Sequence, residues 1–331
     1  MTSNEPERIA VIGDGSWATG LVAALGHKGH HLQWNFRKPE AAEAFRQSGR
    51  NPDYLQEHRL PAEHITATTE VKAAVAGVDG ILLVVPGAYL ATHLAGLGPG
   101  DFAGKWVLSG IKGLDQQTGR LVSQTIQTDY QVPPEQYAAV LGPSHAEEVV
   151  QGWPTYLTIC GHSPATCEKL AGLLRSPAMH VGTTPDAEGA EYAAVLKNVY
   201  AVAAGLSHGL GYGDNFRAVL VAAALREMDA FLQAKVPGER HIGDAVYAGD
   251  LLVTAFSRHS RNRRLGEALG SGTPLSQLLG RDGMVAEGFF AVRHLVESHG
   301  VDLPIVNGVY RILYQDAPAQ DAFRELEQAL T

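Results

Sequence analysis

The sequence predicts an α/β unit with a mainly parallel sheet, followed from about residue 186 by an all-helical unit. Three observations carry that expectation. Short apolar strand-like runs alternate with helical or loop stretches through the first half of the chain. A glycine-rich turn sits between the first such run and the first helical pattern. Beyond Asp186 the apolar residues recur at helical spacing, and no convincing strand intervenes.

In chain order, Ile9–Gly13 is the first apolar run, and Ser16 to about His27 is the first helical pattern. His31–Phe36, Gly80–Pro86, Trp106–Ser109 and Ala138–Gly142 come next as strand-like runs, and Thr155–Cys160 and Met179–Thr183 add two more. The second half holds Ala190–Leu206, Asn215–Leu232 and Ile242–Phe256 as apolar helical patterns. Met284–His299 is another, closed by Gly300 and followed by Pro304. The expected organisation is therefore a dinucleotide-binding domain over 1–185 and a helical substrate-binding domain over 186–331.

Composition narrows the functional classes. The chain has 331 residues, 45% hydrophobic and 18% charged, enough for two domains with substantial cores. The formal charge of −9, with no basic patch interleaved with aromatics, argues against a nucleic-acid partner. The most apolar long stretch, Tyr192–Gly213, carries Lys197, Asn198, Ser207 and His208, so a buried helix is expected rather than membrane insertion. The polar opening MTSNEPER lacks a secretory pattern, and Cys160 and Cys167 offer neither a disulfide framework nor zinc spacing. A cytoplasmic location without a metal is the expectation.

The glycine turn reads Gly13-Asp-Gly15-Ser16-Trp17-Ala18, directly after an apolar strand. Gly13 permits the tight turn, Gly15 lets the backbone approach a pyrophosphate, and a small residue at 18 lets helix and strand pack closely. The helix N-terminus then presents free N–H groups and its positive dipole end. A Rossmann-like coenzyme site is the expectation; a plain turn between strand and helix is the alternative. Asp14 is anomalous, because a carboxylate beside a diphosphate is repulsive unless it points away. Past the second strand stands Arg37, with Lys38 beside it, and no acid until Glu40. An acid there would select NAD, whereas a cation accommodates the 2′-phosphate of NADP. Both coenzymes stay open, and a solvated arginine is the alternative.

Two isolated charges mark the helical half. Lys197 is the only formal charge from Tyr192 to Gly213, and Asp250 the only one from Ala245 to Ser257. A lysine in such a helix either snorkels outward or sits in a desolvated pocket, where its pKa falls toward the range useful for proton transfer. A buried carboxylate needs a partner, and Lys197 is an economical one; separate partners for each are the alternative. Arg258, Arg261, Arg263 and Arg264 come soon after, as either a phosphate site or a solvated face. Lys112-Gly113 and Gly142-Pro143-Ser144 each succeed a strand, on the sheet edge where ligands of open α/β sheets bind; simple strand-to-loop punctuation is the alternative for either.

Taken in order, these segments resemble the bacterial-type NAD(P)-dependent glycerol-3-phosphate dehydrogenase family over nearly the whole chain. The residues that carry the resemblance are Gly13-x-Gly15-Ser16-Trp17, Lys112-Gly113, Gly142-Pro-Ser144-x-Ala146-x-Glu148 and Leu196-Lys197-Asn198. It continues through Gly211-x-Gly213-x-Asn215, Gly249-Asp250-Leu251, Ser260-Arg261-Asn262-Arg263 and Ala286-Glu287-Gly288. The resemblance implies a C-terminal domain like that of 6-phosphogluconate dehydrogenase, and reduction of dihydroxyacetone phosphate to sn-glycerol 3-phosphate with NAD or NADP. It implies that Lys197 is catalytic, with Asp250 and Lys112. It places Lys112, Gly142, Ser144, Lys197, Asn198, Asp250, Thr254, Ser260, Arg261 and Asn262 toward the substrate. Gly13, Gly15, Ser16, Trp17, Arg37, Ala146, Val285 and Glu287 fall toward the coenzyme, and Lys112 and Arg261 toward both. A homodimer serving phospholipid synthesis is implied as well. The chain departs from the family at Asp14, where a small residue is usual, and at Ala18, where glycine is. It also departs in Thr254-Ala-Phe-Ser257 and Val221–Arg226, where Thr-Cys-Thr-Ser and a Thr-Arg pair are common. Two rival readings are a related two-domain dehydrogenase of another substrate and a non-catalytic nucleotide sensor.

Overall fold

The computed structural model describes residues 5–278, 286–297 and 301–330. It divides into two compact units. The first comprises residues 1–111 and 120–187, and the second comprises 112–119 and 188–331. The short segment that carries Lys112 thus packs with the helical unit, although it comes directly after a strand of the sheet.

The first unit is a single eight-stranded sheet. Its strands are β1 (Arg8–Ile12), β2 (His31–Asn35), β3 (Ile65–Thr68), β4 (Gly80–Leu83), β5 (Trp106–Ser109), β6 (Tyr137–Leu141), β7 (Thr155–Cys160) and β8 (Met179–Thr184). Their spatial order is β3-β2-β1-β4-β5-β6-β7-β8, and only the β6–β7 pairing is antiparallel. β3 is the strand that hydrophobic patterning misses: at four residues of alternating burial it is too short to show a period. β1, β4, β5 and β6 are buried almost throughout, as expected where helices cover both faces of a parallel sheet.

One face is covered by α1 (Ser16–His27), α2 (Pro39–Ser48) and α5 (Pro164–Leu174), whose apolar residues join Trp34, Phe36, Leu82 and Val140 in one core. The other face packs Ile81, Leu83 and Val107 with residues of α3 (Val122–Asp129) and of short helical turns. A short helix, α4 (Ala146–Val150), succeeds β6. The chain order reverses about β1, which lies between β2 and β4, and that is where open sheets form a ligand crevice.

The second unit is built around α6 (Ala187–Gly209), which is buried nearly all round from Ala190 to Ser207. Around it lie α7 (Asp214–Lys235), α8 (Asp250–Phe256), α9 (Arg261–Gly270), α10 (Glu287–Glu297), α11 (Pro304–Tyr314) and α12 (Ala319–Ala329). The single helix expected over Ile242–Phe256 is instead a π-helical turn, Ala245–Gly249, running into α8. The widened turn shifts the phase of α8 by about one residue, or about 100°. The helix expected over Met284–His299 is α10, and residues 284, 285, 298 and 299 lie outside the described residues. No helix among the described residues is long and apolar enough to cross a membrane.

Glycines set the crossing of α6 and α9. A Cβ on Gly205 would lie 2.0 Å from the Arg263 carbonyl oxygen, and one on Gly266 would lie 2.0 Å from that of Val202. The two backbones are therefore in direct contact, which only residues without side chains allow. Elsewhere, the buried Glu227 of α7 accepts the Ile305 and Val306 N–H groups and caps the start of α11.

Replacing Gly205 by Val should force α6 and α9 apart and destabilise the chain by about 1–3 kcal/mol or more. Urea unfolding monitored by circular dichroism measures this, and a change below about 0.5 kcal/mol would refute the backbone contact.

Candidate active site

The second unit holds a buried charge cluster. Asp250 opens α8 immediately after the π turn, with helical backbone on both sides of it. Its Oδ1 lies 2.6 Å from the Lys197 Nζ, and its Oδ2 lies 3.1 Å from the Lys112 Nζ. Lys197 is 4% exposed and Asp250 1%, whereas the Lys112 side chain keeps 19% of its surface open to solvent. Lys197 also donates to the Thr254 hydroxyl at 3.0 Å, and that hydroxyl donates to the Asp250 carbonyl. Two lysines on one carboxylate leave the cluster with a net positive charge when all three are ionised.

Burial pulls the Lys197 ammonium down to about 7; the neighbouring Lys112 adds to the fall and Asp250 opposes it. Asp250 is held below the usual carboxylate range: its burial would raise it, but Lys112 and Lys197 together outweigh that. The pair thus joins a firmly ionised carboxylate to an amine that can gain or lose a proton near neutrality.

A chain of amides fixes the geometry. The Gly288 N–H donates to Asn262 Oδ1 at 2.9 Å, Asn262 Nδ2 donates to Asn198 Oδ1 at 2.8 Å, and Asn198 Nδ2 donates to the Lys112 carbonyl at 2.7 Å. This links α10, α9, α6 and the 112–119 segment through buried, satisfied hydrogen bonds. Glu287 approaches Gly113 so closely that a Cβ there would lie 2.3 Å from Oε2. Lys112, Lys197, Asn198, Asp250, Thr254 and Asn262 are thereby brought together. Ser260 caps α9 by accepting the Arg263 N–H at 3.2 Å. Arg261 is exposed at the first position of α9 and, among the described residues, makes no side-chain hydrogen bond or ion pair. Of the arginine cluster, Arg263 turns inward and pairs with Glu267 at 3.2 Å, so it does not belong to a solvated face. Val285 lies outside the described residues.

The remaining candidates belong to the first unit. Gly13 has φ +122°, and a Cβ on it would lie 2.2 Å from the Val84 carbonyl oxygen. Its own carbonyl accepts the Trp34 indole N–H at 2.7 Å. A Cβ on Gly15 would meet nothing within 4 Å, so this peptide faces open space at the start of α1. Among the described residues no acceptor lies on the N–H groups of Ser16, Trp17 and Ala18, and the buried Trp17 indole N–H is likewise unpartnered. A coenzyme diphosphate fits such a loop, which offers unsatisfied donors and room. Gly142 and Ser144 lie between β6 and α4, with the Ser144 hydroxyl donating to the Gly142 carbonyl, and Ala146 packs beside Gly20 of α1.

Asp14 departs from the free, repulsive carboxylate that the loop sequence suggests. Its Oδ1 accepts the Arg37 Nε–H at 2.9 Å and its Oδ2 the Arg37 backbone N–H at 3.1 Å. Arg37 is therefore ion-paired, with 46% of its side chain still exposed to solvent. Sequence reasoning also missed Asn51, whose Nδ2 donates to the Asp14 carbonyl and to the Thr19 hydroxyl. Its Oδ1 accepts the N–H groups of Asp53 and Tyr54, a turn that the Asn51-Pro52-Asp53 order could have signalled.

The chain is similar to known proteins over nearly its whole length. The family model for the N-terminus of NAD-dependent glycerol-3-phosphate dehydrogenase matches residues 8–167, and the model for its C-terminus matches 186–324. A glycerol-3-phosphate dehydrogenase [NAD(P)+] of Moorella thermoacetica is 37% identical over 97% of this chain and 95% of its own length. One from Pelodictyon phaeoclathratiforme is 36% identical over 96% of each chain. The crystal structure of a glycerol-3-phosphate dehydrogenase from Coxiella burnetii superposes with a TM-score of 0.90 at 30% identity, covering 97% of this chain and 98% of that one.

Asp250→Asn should strip two lysines of their common carboxylate and cost about 3–5 kcal/mol near pH 6.5. The loss should shrink at pH 9: Lys197 has a lowered folded-state pKa, so below about 7 it is charged in the fold, and above that it sheds the proton. Urea melts at the two pH values compare these, and an equal loss at both would contradict the coupling.

Proposed function

Because the chain belongs to the NAD-dependent glycerol-3-phosphate dehydrogenase family, we propose that it reduces dihydroxyacetone phosphate to sn-glycerol 3-phosphate, reversibly, with NAD or NADP as coenzyme. The observation that carries this reading is the contact of Lys197 with Asp250 beside Lys112, a buried proton-active amine in a cluster of net positive charge. When bound, the reduced nicotinamide supplies a hydride to the C2 carbonyl carbon. The protein must then stabilise and protonate the oxygen left behind.

Lys197 fits that second task. As an ammonium it donates its proton to the developing alkoxide, and as a neutral amine it takes the hydroxyl proton in the oxidative direction. Asp250 holds Nζ in place and keeps it charged against the cost of burial. Lys112, partly open to solvent, adds a second positive charge where the alkoxide forms. No metal is required, because ammonium groups polarise the oxygen. The amide chain through Asn198 and Asn262 keeps the cluster ordered before substrate arrives. Arg261, exposed and without a partner among the described residues, suits bidentate binding of the substrate phosphate at the start of α9, with Ser260 and Asn262 beside it. Gly142 and Ser144 are further substrate positions, and Glu287 and Val285 further coenzyme positions, by resemblance to the family. Gly13, Gly15, Ser16, Trp17, Arg37 and Ala146 hold the coenzyme, with Lys112 and Arg261 serving both ligands.

In this reading 1–185 is the dinucleotide-binding domain and 186–331 the helical substrate-binding domain, each lending a few residues to the other ligand. The enzyme is a cytoplasmic homodimer, and its product supplies glycerophospholipid synthesis. The rival of a related dehydrogenase with another substrate is disfavoured by identity above a third with full-length relatives. The non-catalytic sensor is disfavoured because the lysine and aspartate are both kept and paired.

Lys197→Met should lower turnover of dihydroxyacetone phosphate by about 10²–10⁴-fold while leaving coenzyme affinity intact; near-normal turnover would refute its role. In the wild type, kcat/KM for reduction should fall as pH rises through about 7, where the ammonium is lost, and the oxidative reaction should rise over the same range. Arg261→Ala should raise KM for the phosphorylated substrate by at least about ten-fold, roughly 1.4 kcal/mol. With the coenzyme held saturating for each variant, the loss on dihydroxyacetone itself should be much smaller, and an equal loss on both substrates would argue against a phosphate contact.

A further inference from the structure

β1 and β2 are adjacent parallel strands with Ile12 opposite Asn35, so the residues two positions beyond each strand end, Asp14 and Arg37, meet side by side. In this fold the turn after β2 ordinarily carries the acidic residue that reads the ribose 2′-position. Here that turn carries a cation, and the acid comes from the glycine loop of the neighbouring strand. The contact is two-pronged: the Asp14 carboxylate takes both the Arg37 Nε–H and its backbone N–H. It is also built from below. Asn51 clamps the Asp14 carbonyl and, through its own turn, places Tyr54 beside the guanidinium. The Asp14 side chain is 8% exposed while that of Arg37 is 46% exposed, so a ligand reaches the arginine and not the acid.

We propose that Asp14 is the residue that sets coenzyme preference in this chain, acting as a positioning residue through Arg37 and selecting NAD(H) over NADP(H). This rests on the coenzyme use proposed above. A free guanidinium at this place would attract the 2′-phosphate of NADP, which carries up to two negative charges. With a carboxylate already on Nε, the pair has no net charge and the attraction is largely cancelled. The ribose hydroxyl of NAD carries no charge and loses nothing by the pairing. Arg37, with nearly half of its side chain in solvent, can still donate to that hydroxyl. The departure at position 14 thereby compensates for the missing acid after β2.

The test is direct binding, monitored by nicotinamide fluorescence, of NADH and NADPH to the wild-type chain, Asp14→Asn, Asp14→Ser, Arg37→Ala and Asp14→Asn/Arg37→Ala at one ionic strength. The wild type is expected to bind NADH more tightly. Asp14→Asn and Asp14→Ser should each move the ratio of the two dissociation constants toward NADPH by at least about ten-fold, equivalent to about 1.4 kcal/mol. In the Arg37→Ala background that shift should vanish. A ratio unchanged in both single variants, or affinity for both coenzymes lost equally, would overturn the proposal, since a merely structural Asp14 moves both alike. A wild-type chain that binds NADPH more tightly would overturn it as well. Binding of neither coenzyme to the wild type would overturn the coenzyme reading and this inference with it.

Discussion

A single carboxylate buried between two lysines is the constraint on which the helical unit turns. Asp250 cannot be left unpaired at 1% exposure, and neither lysine can be held near it without a reason to leave water. The fold meets this with three elements far apart in sequence: the 112–119 segment, the middle of α6 and the first turn of α8. Much else in the unit serves to hold those three in register. The glycine crossing brings α9 against α6 so that Asn262 reaches Asn198. Asn198 in turn grips the backbone that carries Lys112. The π turn rephases the chain just ahead of Asp250. A core residue in this place would tolerate a shift of a few tenths of an ångström. A buried ion pair does not.

A similar logic runs through the glycine loop. Gly13 has no room for a side chain and a backbone conformation that L residues rarely adopt, while Gly15 faces open space. The two glycines therefore do different work, one allowing the loop to lie against the residue after β4 and the other leaving its peptide reachable. The donors at the start of α1 meet no acceptor among the described residues. Such an arrangement is completed by an anion. Asp14 in the middle of this loop would be a liability if its charge were loose. Its pairing with Arg37 turns the charge away from solvent and ties two strand ends together.

Both sites share a principle. In both, the buried charges come in sets whose members answer one another. In each set one member, Lys112 or Arg37, keeps some exposure to solvent. The deeper partners, Asp250 and Asp14, hold the exposed ones in place through ion pairs.

The sequence by itself determined the division into a sheet unit and a helical unit, the place of the glycine loop and the two lone charges in apolar helices. Each of these is local: periodicity, punctuation and an out-of-place charge can be read within a dozen residues. Tertiary structure decided the rest. β3 is too short to show a period, and the break of the expected 242–256 helix into a π turn depends on what packs around it. The third member of the Asp250 cluster, the amide chain through Asn262 and Asn198, and the answer of Asp14 to Arg37 join residues dozens of positions apart or more. Their chemistry comes from which strands and helices become neighbours. A polar side chain shows in the sequence that it will need a partner, but only the packed backbone determines which groups stand within hydrogen-bond reach.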